Sequence, residues 1–371
     1  MADAELLFRP AHELAAMIRS GEISSRELTE LSLRRAEELE PKLGAFTVID
    51  AERALAVADA VRPGDERPFA GVPSVIKDIG VMFADYPFTA GSEIFGDFTP
   101  TFDSHVVTQL KEAGFVFIGK TKTPEMGLMP VTEPLRYGPA RNPYNTDHTP
   151  GGSSGGSAAA TAAGIVPLAH GNDGGGSLRI PGACCGLIGF KATRNRSSSA
   201  PLQSESPLNV EGMLARSVLD VASTLDLISG YVPGDSNWAP PPATPFAEAV
   251  GRDPGRLKIG FTVTPPVDVP VDPVYAAQVH EAAALLESLG HEVEPVDVPW
   301  SNPEMVISFT KIFAVWTSML TSFGAAVTGR EVTEDLLEPL TWEMWQMAQD
   351  ISARDWLMLN TTTQAFMRNV I

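Results

Sequence analysis

Cysteine is scarce in this chain: two residues in 371, Cys184 and Cys185, and they are adjacent. Neighbours in sequence are badly placed to close a disulfide on one another, and two cysteines cannot build a structural zinc site. Positive charge is also short. Lysine and arginine number 27 against 46 aspartates and glutamates, a formal net charge of −19, whereas phosphate binding needs clustered cations. Nucleic acid is excluded as a partner, and the charge is read as a solubility feature. Long apolar runs are missing too. No stretch approaches the roughly eighteen apolar residues of a membrane helix, and the acid-bearing N-terminus shows no signal peptide. The expectation is a cytoplasmic protein with free thiols and no membrane partner.

Several motifs are absent as well. Neither Gly-rich stretch supplies the lysine of a phosphate-binding P-loop, and neither contains G-x-G-x-x-G, so nucleotide binding is rejected. The G-x-S-x-G nucleophile elbow is missing around Ser177, which reads G-G-S-L-R. Of the six histidines, His105 and His280 sit in helical patterns and His291 begins a strand. None of those three has a motif around it, and His148 and His170 flank the Gly/Ser stretches, where a structural role is the plainer reading; the sixth is His12. A Ser-His-Asp triad is therefore weak, and lysine is left as the candidate base.

What is present is turn-rich α/β material, with 32 glycines and 31 prolines. Ser24 followed by Glu27 forms a capping box before a helix carrying Leu28, Leu31, Ala36 and Leu39. Gly71 to Val81 reads as a short apolar strand interrupted by one lysine. A helix from Asp103 or Ser104 to Gly114 precedes a strand from Phe115 to Ile118. "RLKIGFTV", "PVYAAQVHEAAALLESLG" and "HEVEPVDV" repeat the alternation as strand, helix, strand. Pro240 to Pro245 is a loop, and the chain from Pro303 onward is mostly helical. Strands alternating with helices imply an α/β sheet covered on both faces.

Three elements carry chemistry. Lys77 lies between Ile76 and Asp78 in an otherwise apolar strand. It either pairs with Asp78 or reaches solvent, or it is desolvated enough to act as a neutral base. "TPGGSSGGSAAATAAG", Thr149 to Gly164, places a Gly/Ser turn directly before strong helix formers, which a flexible linker would not do. "GNDGGGSLRIPG", Gly171 to Gly182, brings Gly174, Gly175 and Gly176 up to Ser177. That turn is either a backbone nest for an oxyanion or a plain Gly-rich loop with a capping serine.

These three elements, in this order and spacing, resemble the amidase signature family, most strongly from Gly71 to about Lys191. The variant with paired cysteines is similar to the bacterial subgroup that includes the 6-aminohexanoate-cyclic-dimer hydrolases. The resemblance implies an α/β fold with a mixed central sheet covered by helices on both faces. It also implies a Ser–cisSer–Lys triad that cleaves a small-molecule amide through an acyl-enzyme. Ser177 matches the nucleophile, Ser153 the bridging serine after a cis bond from Gly152, and Lys77 the base. The backbone of Gly174, Gly175, Gly176 and Ser177 matches the oxyanion hole, and Ser154, Asp173 and Arg179 match positions that support the loop. No cofactor and no metal are implied, and a homodimer is allowed.

Two positions depart from the family pattern: Ala192 stands where proline is usual, and Lys122 where asparagine is. Family members also continue beyond this length. The expectation is thus a single amidase domain over 1–371, C-terminally incomplete, with its catalytic core at about 71–191. The alternatives are a non-catalytic or truncated member and a glutamine-dependent amidotransferase subunit.

Overall fold

A computed structural model describes residues 5–84, 86–202, 208–300 and 302–370. Two compact units divide the chain: Met1–Val250 with Leu320–Trp342, and Gly251–Met319 with Glu343–Ile371.

Two three-stranded sheets form the centre of the larger unit. The first has the order β1 (Phe46–Ile49), β3 (Val116–Thr121), β2 (Pro73–Lys77), with β1 antiparallel and β2 parallel to β3. The second has the order β4 (Leu168–Asp173), β6 (Val210–Ala215), β5 (Ile188–Gly189), antiparallel throughout. β2 and β4 lie side by side, and side chains stitch the seam. Ser74 Oγ donates to the Leu168 carbonyl at 3.1 Å, and the Lys77 backbone N–H donates to His170 Nδ1 at 3.3 Å. The strand expected over Gly71 to Val81 is the shorter Pro73–Lys77, and the one expected over Phe115 to Ile118 runs Val116–Thr121.

Every residue of β2, β3, β4 and β6 is buried. Successive side chains of a strand point to opposite faces, and the cores follow that rule. Val75, Val116, Ile118 and Ala169 join one cluster, while Ile76, Phe115, Phe117 and Leu168 join another. The first cluster is closed by α2 (Ser25–Leu43), α3 (Ala51–Ala60) and α5 (Gly155–Ala162). The second is closed by α1 (Ala11–Ser20), α4 (His105–Glu112) and α7 (Val218–Ile228). The mixed sheet is therefore covered on both faces. The capping box is present at the start of α2: Ser24 N–H donates to Glu27 Oε2 at 2.8 Å, and Glu27 N–H to Ser24 Oγ at 3.1 Å.

The alanines of α5 allow it to sit deep against β2, β4 and β6. The glycines before them have the same cause. A Cβ on Gly156 would lie 2.4 Å from the Ala45 carbonyl oxygen and 2.6 Å from the Lys122 nitrogen. Two shorter helices, α6 (Arg179–Cys184) and α8 (Phe246–Ala249), also lie in this unit's first segment.

In the second unit β7 (Lys258–Phe261) and β8 (Glu292–Pro295) pair in parallel, connected by α9 (Pro273–Ser288), the expected strand–helix–strand. The C-terminal chain is helical as anticipated: α10 (Pro303–Thr328), α11 (Pro339–Gln349) and α12 (Ala353–Val370). One expectation is corrected here. By length and composition alone, Glu304–Thr328 is apolar enough to cross a membrane, with a mean hydropathy of 1.3. Serines, threonines, Gly324 and Lys311 interrupt its apolar run, so counting uninterrupted residues passes over it. The end of this helix that belongs to the larger unit packs as a core helix. Phe323 rests on Phe95 and Phe98, and Thr328 Oγ1 donates to the Ile94 carbonyl.

Candidate active site

The C-terminal ends of β2 and β4 meet at the seam, and each delivers polar side chains into a buried pocket of chain. Lys77, the last residue of β2, is fully buried. Its Nζ lies 2.8 Å from Ser153 Oγ and 2.6 Å from Asn172 Oδ1. Burial pushes the ammonium down to about 7, against the opposing pull of Glu211 and Asp173. Pairing with Asp78 does not occur. Asp78 instead accepts from Lys120 Nζ across the sheet and from the N–H and hydroxyl of Thr89. Of the two readings of Lys77, the structure supports the desolvated one.

Ser153 is buried at the N-terminal approach to α5, and a cis peptide bond joins it to Gly152, as the resemblance implied. Ser154 Oγ donates to the Asn172 carbonyl at 3.3 Å, and Ser154 N–H donates to the Ser177 carbonyl at 3.2 Å. Ser154 thus ties the first serine stretch to the second. Lys77 and Ser153 are brought into direct contact, whereas Ser177 joins through its backbone, with no hydrogen bond between the hydroxyls of Ser153 and Ser177.

Asp173, at the end of β4, shapes the turn that carries Ser177. Its Oδ1 accepts from Gly176 N–H at 2.8 Å and from Arg179 Nη2 at 2.8 Å. Its Oδ2 accepts from Leu178 N–H at 3.1 Å, Arg179 N–H at 3.3 Å and Arg179 Nε at 2.9 Å. Burial raises the carboxyl, but these bonds outweigh it and hold Asp173 below the usual carboxylate range. The same bonds correct one expectation about the oxyanion donors. Gly176 N–H is already spent on Asp173, so among the described residues the donors of this turn left without a partner are Gly174, Gly175 and Ser177.

Sequence reasoning missed Asn172 and the pair behind it. His170 Nδ1 accepts from the Lys77 backbone N–H, so its ring proton sits on Nε2, 3.0 Å from Glu211 Oε2. Both ring nitrogens are occupied by the scaffold, which settles His170 as structural. The signal for Asn172 was an amide immediately before the buried aspartate, and nothing in the sequence says which strand end it faces. Lys122 is buried and donates to the Tyr137 carbonyl at 2.8 Å, and Ala192 is in the core. Neither departure from the family pattern touches Lys77, Ser153 or Ser177. Cys185 is buried, with its thiol pushed up to about 12 by burial and by Cys184, while Cys184 is exposed and not buried as its neighbour is.

A buried lysine on a serine, a second serine on a glycine turn, and free backbone donors beside it form an acyl-transfer arrangement. The family model for amidases matches residues 27–370. The chain belongs to the amidase family. Over 94% of its length this amidase is 38% identical to 6-aminohexanoate-cyclic-dimer hydrolase of Paenarthrobacter ureafaciens, covering 71% of that protein. It is 39% identical to a glutamyl-tRNA(Gln) amidotransferase subunit of Thermobifida fusca, over 89% of this chain and 68% of that one. The solved structure of a 6-aminohexanoate cyclic dimer hydrolase complexed with substrate superposes with a TM-score of 0.93 at 35% identity, covering 98% of this amidase and 76% of that chain. The amidase signature fold and a place among the amide hydrolases follow.

Proposed function

We propose that this amidase cleaves amide C–N bonds with Ser177 as nucleophile, Ser153 as proton bridge and Lys77 as base. The observation that carries the reading is the fully buried Lys77 Nζ at 2.8 Å from Ser153 Oγ. A neutral amine there accepts the Ser153 proton while Ser153 takes the Ser177 proton, and Ser177 Oγ bonds to the carbonyl carbon. The oxyanion that forms is held by the backbone N–H groups of Gly174, Gly175 and Ser177, each well-placed donor contributing about 3 kcal/mol. Returning the proton to the leaving nitrogen breaks the C–N bond and leaves an acyl-enzyme. Water attacks it along the same relay, releasing the acid and restoring Ser177. Ser154, Asp173 and Arg179 hold the two turns together.

The substrate class is a small linear or cyclic amide, in keeping with the cyclic-dimer hydrolase relative. A cytoplasmic location suits the free thiols. In a second reading the chain serves an amidotransferase by releasing ammonia from glutamine, which the likeness to the Thermobifida fusca relative favours. It predicts glutaminase activity that depends on a partner protein.

The test is intact-mass spectrometry after treatment with a fluorophosphonate, alongside Ser177→Ala and turnover of a cyclic oligoamide. One adduct, lost in Ser177→Ala while that variant keeps the wild-type circular dichroism, supports the reading. No adduct on a folded, monodisperse sample overturns it.

A further inference from the structure

We propose that Asn172 is a positioning residue that aims the lone pair of Lys77 at Ser153. The inference rests on the proposed relay and deepens it. A neutral primary amine has two N–H bonds and one lone pair, and Lys77 Nζ has two polar neighbours, Ser153 Oγ and Asn172 Oδ1. An amide oxygen can only accept. One Lys77 N–H is therefore committed to Asn172, at 2.6 Å, and the lone pair is left to the Ser153 hydroxyl.

The orientation of the Asn172 amide is fixed by chemistry. Its Nδ2 donates to the Ile79 carbonyl at 2.9 Å. Reversing the amide would set an oxygen against the Ile79 carbonyl, losing that bond, and would aim an N–H at the lysine lone pair that the Ser153 hydroxyl needs. Space for the amide comes from Gly80. A Cβ there would stand 2.1 Å from Asn172 Nδ2 and 3.1 Å from Glu211 Oε1, at a φ of +93° that already favours glycine.

The choice of amide over acid matters. An aspartate in this place would hold the proton on Lys77 and remove the base. The charged and titratable groups near Lys77 are Glu211 on β6 and Asp173 and His170 on β4, with Asp78 and Lys120 paired to one another beside it. Glu211 is engaged by His170 and Asn209, and Asp173 by Arg179 and the turn. Neither direct partner of Nζ, Ser153 or Asn172, adds a charge.

The experiment follows the rate of Ser177 modification by a fluorophosphonate between about pH 5 and about pH 9 in the full chain, in wild type, Lys77→Ala, Asn172→Asp and Asn172→Ser. Wild type is expected to rise through a limb that Lys77→Ala lacks. Asn172→Asp is expected to move that limb up by about one pH unit or more, as an opposite charge does at this range. Asn172→Ser, too short to reach the amine, is expected to keep a limb at or below the wild-type position with its plateau lowered about tenfold or more. If Asn172→Asp does not fold, the plateau of Asn172→Ser decides. A wild-type limb reproduced unmoved in Asn172→Asp, or a wild-type plateau in Asn172→Ser, overturns this inference and leaves the relay standing. Lys77→Ala reacting as wild type does overturns the relay and the inference together.

Discussion

Burying a lysine that must lose its proton has a thermodynamic signature that can be read without any substrate. Lys77 has an ordinary value of 10.5 and a folded value of about 7. Between those two values the unfolded chain binds a proton that the folded chain does not, so stability rises with pH across that window. A gap of roughly 3.5 units corresponds to about 5 kcal/mol below the window. Some 4 kcal/mol of that cost, on this order, is still felt near pH 7, and about 2 kcal/mol near pH 9. Lys77→Met fills the same space without ionising. It also leaves Ser153 Oγ and Asn172 Oδ1 short of a partner, at about 1–3 kcal/mol each, a loss that does not depend on pH. Urea unfolding followed by tryptophan fluorescence should therefore give a wild-type-minus-variant difference that grows in favour of wild type by about 2 kcal/mol from near pH 7 to near pH 9. A difference that stays flat over that interval would refute a depressed lysine in the folded state.

Other perturbations test the rest of the site. Asp173→Asn removes a buried acceptor of five hydrogen bonds and should cost about 3 kcal/mol in urea melts near neutral pH while slowing serine labelling. Because the Asp173 carboxyl is held low, its contribution is complete above its ordinary value of 3.8 and fades as pH falls below that; equal acid sensitivity of wild type and Asp173→Asn would contradict this. Gly156→Val forces a side chain into the Ala45 and Lys122 backbone and should cost at least about 2 kcal/mol, with soluble yield and thermal melting as the readout. In a thiol titration of the native chain, exposed Cys184 should react promptly and buried Cys185 only after unfolding; two fast thiols would show that the packing around Cys185 is wrong.

Local chemistry was readable in advance and cross-chain geometry was not. The capping box of α2, the two serine turns and the anomalous lysine are short-range signals, and each occupies its expected place. The partner of Asp78 was not legible, because Lys120 comes from the neighbouring strand and its approach depends on the register Lys77↔Thr121. Asn172 escaped for the same reason: only the lateral fit of β4 against β2 turns an ordinary strand-end amide into a partner of Lys77. The loss of Gly176 as a free donor is a matter of which way one peptide unit faces, and a run of three glycines leaves that open until Asp173 is seen to claim it. Cys184 is the last residue of α6 and is exposed, while Cys185, which caps that helix, is buried, a split that two adjacent identical residues do not announce.

The seam between β2 and β4 also governs when reactivity can exist at all. In the proposed relay, Lys77 ends a strand of one sheet, Ser177 follows a strand of the other, and Ser153 precedes the helix laid against both. No two of these groups belong to one local segment, so on the proposed relay a chain whose sheets have not met is expected to carry an unactivated serine and a charged lysine. If the relay holds, labelling of Ser177 is an assay of assembly, expected to appear only once the two sheets are in register. On that reading the timing of activation is set by the topology, through the contact of β2 with β4.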